Sequence, residues 1–320
     1  LNTLSLIFIM DRKKFFTLGS ASIAAAALPI NLDSGSQTEK RWQNGASPWP
    51  ICLDTYTILP ASMEDKVEFA AKAGYDAIEP WDRELIQYEK DGGDVEKLGE
   101  RIKELGLFVP SVIGLWNAIP PNEDDFQASL EGTRNRMRLA KAIGSEHIQT
   151  IPNTVGEGYD IQQVAKRYHQ VIEIGINEFG LKPSLVFVTH FPLKTMGQAM
   201  QVALDANHPE ASIIPDTYHM YIGGGGFEGL KLMKGSSISI FQFADAPGFL
   251  PADQLEDKHR VFPGDGVLPL PQILRDLYAT GFRGCISLEL YNPDYHKRDL
   301  FEVAQEGFEK TLAVIKEAGV

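Results

Sequence analysis

Four polar residues stand where apolar runs end, and their types suit proton transfer or metal binding. Ile213-Ile214-Pro215 gives way to Asp216-Thr217-Tyr218-His219, which sets a hard anionic ligand three residues from a titratable imidazole. Ile240-Phe241-Gln242-Phe243-Ala244 carries one amide, which period-two alternation turns away from both phenylalanines. Ile286-Ser287-Leu288-Glu289-Leu290 carries a carboxylate amid apolar neighbours, costly to bury alone. Asp216, Gln242 and Glu289 supply oxygen donors suited to Mg2+ or Mn2+, with Zn2+ also compatible. His219 is the acid–base candidate, since an unperturbed imidazole titrates near neutrality. Glu79, which follows Ala77-Ile78, stands next in line for that role. Each has a structural alternative: Asp216 capping the segment after it, Gln242 satisfying backbone, Glu289 pairing with Arg260 or Arg283, His219 partnering Asp216 or Tyr218.

A second group of residues suits substrate contact. Arg260 leads into Pro263-Gly264-Asp265-Gly266, where a guanidinium could clamp a substrate hydroxyl, carboxylate or phosphate. Its alternative is a salt bridge to Asp245 or Glu289. Trp81 and Trp116 offer aromatic faces for a sugar ring, or else pack the rim. His147 and Gln149 are further lining candidates. The run Gly223-Gly224-Gly225-Gly226 could cradle a phosphate, but it lacks a Lys–Ser/Thr pair and reads equally as a loop. Cys52 and Cys285 lack zinc-knuckle spacing and are expected to be buried thiols.

These residues need a scaffold that gathers strand ends. From Trp49 onward, short β-rich runs alternate with longer helical stretches. Strands are predicted at 51–54, 77–80, 108–114, 147–152, 185–190, 212–215, 239–244 and 285–290. Helices are predicted at 63–73, 95–105, 126–143, 162–179, 197–206, 270–280 and 300–318, with a weaker one at 227–232. Several end on a glycine before the next strand, as in Ala73-Gly74-Tyr75 and Ile143-Gly144-Ser145. Eight βα units over about 270 residues predict a single (β/α)8 TIM barrel at 49–320, with its chemistry where the strands end. A doubly wound sheet is the alternative, but nothing after the first strand offers a G-x-G-x-x-G turn.

The chain of 320 residues is 43% hydrophobic and 23% charged, the composition of a folded globular protein. Its net charge of −13 argues against a nucleic-acid partner. Arg12-Lys13-Lys14-Phe15-Phe16 precedes an Ala-rich apolar run, the build of an export signal over 1–32 with a translation start at Met10. Arg12-Lys13 resembles a twin-arginine signal with Lys in second place, so a periplasmic location is expected. The alternative is an amphipathic helix of the mature fold. Residues 33–48 read as linker. No later run is long enough for stable membrane insertion. Homo-oligomer formation stays open.

Asp216-Thr217-Tyr218-His219, Phe241-Gln242-Phe243-Ala244-Asp245, Arg260-Val261-Phe262-Pro263-Gly264-Asp265-Gly266 and Gly281-Phe282-Arg283-Gly284-Cys285-Ile286-Ser287-Leu288-Glu289-Leu290 together resemble the sugar phosphate isomerase/epimerase superfamily, the xylose isomerase-like barrels. The inosose isomerase/dehydratase and 3-dehydroshikimate dehydratase branches are nearest in flavour. The resemblance implies a divalent cation held by an acid on the fifth strand, by Asp216, by Gln242 in a His/Gln position, and by Glu289. Here the fifth strand offers Val186 or Val188, and His190 or water is expected to replace the missing acid. It further implies a small polyhydroxy substrate, a metal that polarises its carbonyl, and a proton moved by His219 or a carboxylate. Isomerase or epimerase is the leading expectation. A dehydratase sharing the enediolate and a non-catalytic secreted carbohydrate-binding barrel are the alternatives. A base-excision endonuclease on this barrel would need a richer metal cluster and a basic face.

Overall fold

The computed structural model describes residues 41–320. The expected signal segment 1–32 and residues 33–40 lie outside the described residues. Eight parallel strands run in chain order: β1 (Ile51–Asp54), β2 (Ala77–Glu79), β3 (Ser111–Leu115), β4 (His147–Thr150), β5 (Lys182–Val186), β6 (Ile213–Ile214), β7 (Phe241–Phe243) and β8 (Ile286–Leu288). They pair in the orders β2-β1-β8-β7 and β3-β4-β5-β6. Single bridges join the two sheets, Ala77 to Phe108 and Trp81 to Ile113 on one side, Ile213 to Ile238 and Asp216 to Gln242 on the other. The ring is thereby closed into the predicted barrel.

Alternation along the strands divides the core in two. Ile51, Leu53, Val112 and Ile213 pack outward under the helices, whereas Cys52, Ile113, Val186, Ile214 and Ile240 fill the interior. Cys52 and Cys285 are buried free thiols, as expected. The wrapping helices are α1 (Met63–Ala73), α2 (Asp82–Lys90), α3 (Val95–Glu104), α4 (Glu123–Ala142), α5 (Ile161–Ile174), α6 (Met196–Asp205), α7 (Thr217–Ile222), α8 (Leu270–Ala279) and α9 (Leu300–Ala318). Helix α1 shows the local logic: Ser62 caps its start by accepting from the Asp65 N–H, and Gly74, at φ 99°, ends it. None of the helices is long and apolar enough to cross a membrane, among the described residues.

Three elements depart from expectation. Helix α2 was not foreseen because it buries little besides Leu85 and Asp82, leaving almost no apolar period. Helix α7 is too short for a periodic signal and is set by its cap, the Asp216 side chain accepting from the His219 N–H. The fifth strand begins and ends earlier than predicted, so Val188 and His190 fall in a turn closed by the Val188 N–H on the Leu193 carbonyl. The described part of the expected linker, residues 41–48, is packed rather than loose. Arg41 reaches the Val320 carbonyl, and Gln43 donates to Asp76.

Candidate active site

At the C-terminal ends of the strands lies a cavity of about 250 Å³. Gln242, Glu289, His219, Asp257 and His190 form its polar side, and Trp81, Trp116, Tyr56 and Tyr291 its aromatic side. Val186, Val188, Ile113, Ile151 and Phe191 complete the wall. Trp81 and Trp116 stack at 6.1 Å between centroids, and the Arg83 guanidinium lies 4.1 Å over Trp81. Both rings, expected as sugar-stacking faces, thus pack on one another at the wall, with Arg83 over Trp81. Gln149 also lines the cavity.

The centre of the polar side is held from behind by Arg260, which is wholly buried. Its Nη1 donates to Asp216 Oδ2 at 2.7 Å and to Glu289 Oε2 at 3.1 Å. Its Nη2 donates to His219 Nε2 and to Asp257 Oδ1, each at 3.2 Å. Tyr218 and Tyr291 flank the guanidinium, with its carbon 4.9 Å from each ring centre. Arg260 is absent from the cavity wall, so the expected substrate clamp is corrected to the salt-bridge alternative. The loop that carries it is pinned to β7 by reciprocal backbone bonds between Asp245 and Val261. The Asp245 carboxylate gathers the N–H groups of Ala246, Gly264, Gly266 and Leu268. A side chain at Gly266 would sit 2.3 Å from the Ala246 carbonyl, which is why that position is glycine.

His219 lines the cavity, but both ring nitrogens are engaged. A guanidinium only donates, so Nε2 accepts from Arg260, while Nδ1 lies 3.0 Å from Thr189 Oγ1 and faces the Thr189 backbone N–H. Burial first, and Arg260 with it, lowers its affinity for a proton, against the pull of Asp216. The expected acid–base role for His219 is corrected on that ground: its ring is held between Arg260 and Thr189, in a setting that disfavours the protonated form.

Glu79 is corrected as well. It is buried beneath the cavity floor, accepting from Ser287 Oγ and Gln149 Nε2, both at 2.7 Å. Burial raises it to about 7, opposed by those hydrogen bonds and one from Gln242. It sits opposite Asp54 in the β1–β2 register, and Asp54 is raised too, by burial and by Glu79. The Trp81 indole N–H covers Asp54 at 3.1 Å. His147 is at the first residue of β4, two residues before Gln149, and bonds Ser184 at the far end of the barrel. It takes no part in the site.

The carboxyl groups that do face the cavity are differently tuned. Glu289 is raised well above the usual range by burial, although Arg260 opposes this, and its Oε1 accepts from the Tyr291 hydroxyl at 2.8 Å. Burial pushes Asp257 up too, but Arg260, His219 and His190 outweigh it and hold it low. Asp257 Oδ2 lies 3.1 Å from His190 Nε2. Asp257 and Tyr291 were not foreseen. Tyr291 was legible in principle, two residues after Glu289, whereas Asp257 sits in an irregular loop with no period.

The expected metal ligands do not form a shell. His190 is half-exposed and paired with Asp257 rather than with Asp216 or Glu289. Val186 fills the fifth-strand position inside the barrel. Among the described residues no three His, Cys, Asp or Glu side chains are arranged to hold a metal ion. All four oxygens of Asp216 and Glu289 have donors: Oδ1 from the His219 N–H, Oε1 from Tyr291, Oδ2 and Oε2 from Arg260. The residues present do not fit a divalent cation.

A family model described as a xylose isomerase-like TIM barrel matches residues 67–318. An inosose isomerase of Bacillus licheniformis is 26% identical over 283 residues, 83% of this chain and 97% of that protein. A 3-dehydroshikimate dehydratase of Pseudomonas putida is 24% identical over 259 residues, 79% of this chain and 40% of that longer protein. The solved IolI protein, which carries a zinc atom, superposes with a TM-score of 0.76 at 25% identity, covering 84% of this chain and 98% of its own.

Proposed function

From a chain that belongs to the xylose isomerase-like TIM barrel family, we propose an isomerase or epimerase that moves a proton beside the carbonyl of a cyclic polyhydroxy substrate. The inosose isomerase and dehydratase relatives support this substrate class. The observation that carries it is the pair of carboxyl groups, Glu289 and Asp257, which face one cavity and are pushed in opposite directions. Such a split leaves one carboxyl able to give a proton and the other an anion able to orient a base. Glu289 holds its proton more tightly than an ordinary carboxyl and gives it to the carbonyl oxygen. Asp257 stays anionic and fixes His190 through Nε2, leaving Nδ1 to take the proton from the adjacent carbon. The C–H electron pair becomes the C=C bond of an enediol. Returning the carbon proton from His190 to the neighbouring carbon, as the hydroxyl on the first carbon gives its own proton to the Glu289 carboxylate and becomes the new carbonyl, isomerises the substrate. Returning a proton to the other face of the first carbon, with the original carbonyl oxygen giving its proton back to Glu289, epimerises it. Loss of a β-hydroxyl as water gives the dehydratase outcome. Trp81 and Trp116 orient the ring and exclude water.

The resemblance implies a divalent cation to polarise the carbonyl, and the solved IolI protein carries a zinc atom. The donors of this chain do not fit one. The test is proton exchange followed by NMR in D2O, with inososes, ketohexoses and 3-dehydroshikimate as substrates. Deuterium should enter beside the carbonyl, and Glu289→Gln should slow it by about a hundredfold or more. No exchange with any of them would end the proposal. We also propose export to the periplasm, supported by the run from Arg12 to Ala27. An intact Met10 terminus on cytoplasmic protein would refute it.

A further inference from the structure

We propose that the Arg260 guanidinium takes the place of a divalent metal ion in this barrel, leaving a site built to work without one. This rests on the cavity being the active site argued above. Oxygen-bound Mg2+ sits about 2.0–2.1 Å from its ligands, and Zn2+ similarly close. An ion shared by Asp216 Oδ2 and Glu289 Oε2 would overlap Nη1, which already lies 2.7 Å and 3.1 Å from those two oxygens. It would also set two positive charges beside a third that is wholly buried.

Arg260 has no easy way to withdraw. Four of its five N–H donors have an acceptor, and only Nε lacks one. Rings lie on two sides of it, and the Asp245–Val261 bridge anchors the residue after it. Leaving would strip the wholly buried Asp216 carboxylate of its counter-charge and Glu289 of a donor.

The second, independent observation is Val186. It ends β5 beside Ile214 in the register and packs with Ile151, Ile214 and Ile240 inside the barrel. A metal shell here would have Asp216 and Glu289 as its anions and Gln242 as a neutral third donor. The valine contributes no donor at all, and the nearest imidazole, His219, already accepts from Arg260 at Nε2. Arg260 thus acts as a positioning residue: it gathers Asp216, His219, Asp257 and Glu289 without touching the cavity.

The test reads metal directly on the full chain. After chelation and desalting, calorimetric titration of wild type with Mn2+ and with Zn2+ should show no saturable site tighter than ~1 mM. EDTA should leave the unfolding midpoint unchanged. One equivalent bound at micromolar affinity, and lost in Asp216→Asn, would overturn the proposal. Val186→Glu with Arg260→Gln should gain at least ~100-fold in Mn2+ or Zn2+ affinity over wild type. A folded double variant that gains nothing would equally overturn it. If that variant does not fold, the wild-type titration decides. Failure of the deuterium-exchange assay would remove the proposed activity and leave the titration result standing.

Discussion

Glu79→Gln tests whether a carboxyl sealed under the cavity floor couples folding to pH. The group is wholly buried and raised from 4.5 to about 7, mainly by burial. Between those values the folded protein holds a proton that the unfolded chain has released. Stability therefore falls as pH rises through that window, and is fully present only below 4.5. Each pH unit is worth about 1.36 kcal/mol, so the whole interval amounts to roughly 3 kcal/mol. Glutamine keeps the shape and removes the titration. At pH 5 the variant should be less stable by about 1 kcal/mol, because one donor, from Ser287 or Gln149, meets an amide NH2. At pH 8 it should exceed wild type by about 2 kcal/mol. Asp54 shares the effect, so the difference curve belongs to the pair. Urea unfolding of both proteins from pH 5 to 8 measures it. A flat difference across that range would show that Glu79 keeps an ordinary affinity for its proton, and the account of the floor would fail.

Arg260→Met should cost about 3–5 kcal/mol at pH 7 in urea unfolding, since it leaves the Asp216 carboxylate buried without its cation. Asp216, held at about 2 against an ordinary 3.8, contributes stability present above 3.8 and lost as pH falls through about 2. The penalty of the variant should therefore shrink in acid. Trp81→Phe removes the N–H that covers Asp54 and should destabilise by about 1–3 kcal/mol, read from the unfolding midpoint. Gly266→Ala pushes a methyl into the Ala246 carbonyl and should shift the Arg260 loop, lowering stability by about 1–3 kcal/mol and slowing deuterium exchange.

The barrel was legible because glycine stops and apolar runs recur at a nearly even spacing, and both are local signals. Strand ends marked Asp216, Gln242 and Glu289 for the same reason, and all three do meet at one end of the ring. What the sequence did not reveal was which partner each would choose. Glu289 and Arg260 are 29 residues apart, and whether a guanidinium faces substrate or carboxylates depends on how its loop closes. That closure is set by Asp245 collecting four N–H groups, a pattern without periodicity. His147 misled because period two places it on the same face as Gln149 but says nothing of height along the axis. His190 misled because the fifth strand ends four residues earlier than expected, at Val186 rather than 190.

The expected metal-ligand role of Glu289 and the acid role proposed for it above exclude each other. Glu289 as a metal ligand must be ionised, because coordination requires the deprotonated carboxylate. Glu289 as the acid that protonates a carbonyl must carry a proton. With a divalent ion beside it the first state would prevail. With one guanidinium shared among Asp216, Glu289 and Asp257, there is too little positive charge to ionise all three cheaply in a dry site. Asp216 accepts from both Arg260 and the His219 N–H and is held down to about 2. Glu289 has the longer bond to Arg260 and a buried setting, and burial wins there. Val186 belongs to the same balance, for a glutamate in its place would add an anion that a single guanidinium could not neutralise. The valine at the fifth-strand position, the buried arginine and the raised affinity of Glu289 for its proton thus belong to one arrangement, in which a single fixed charge favours a protonated carboxyl beside the cavity.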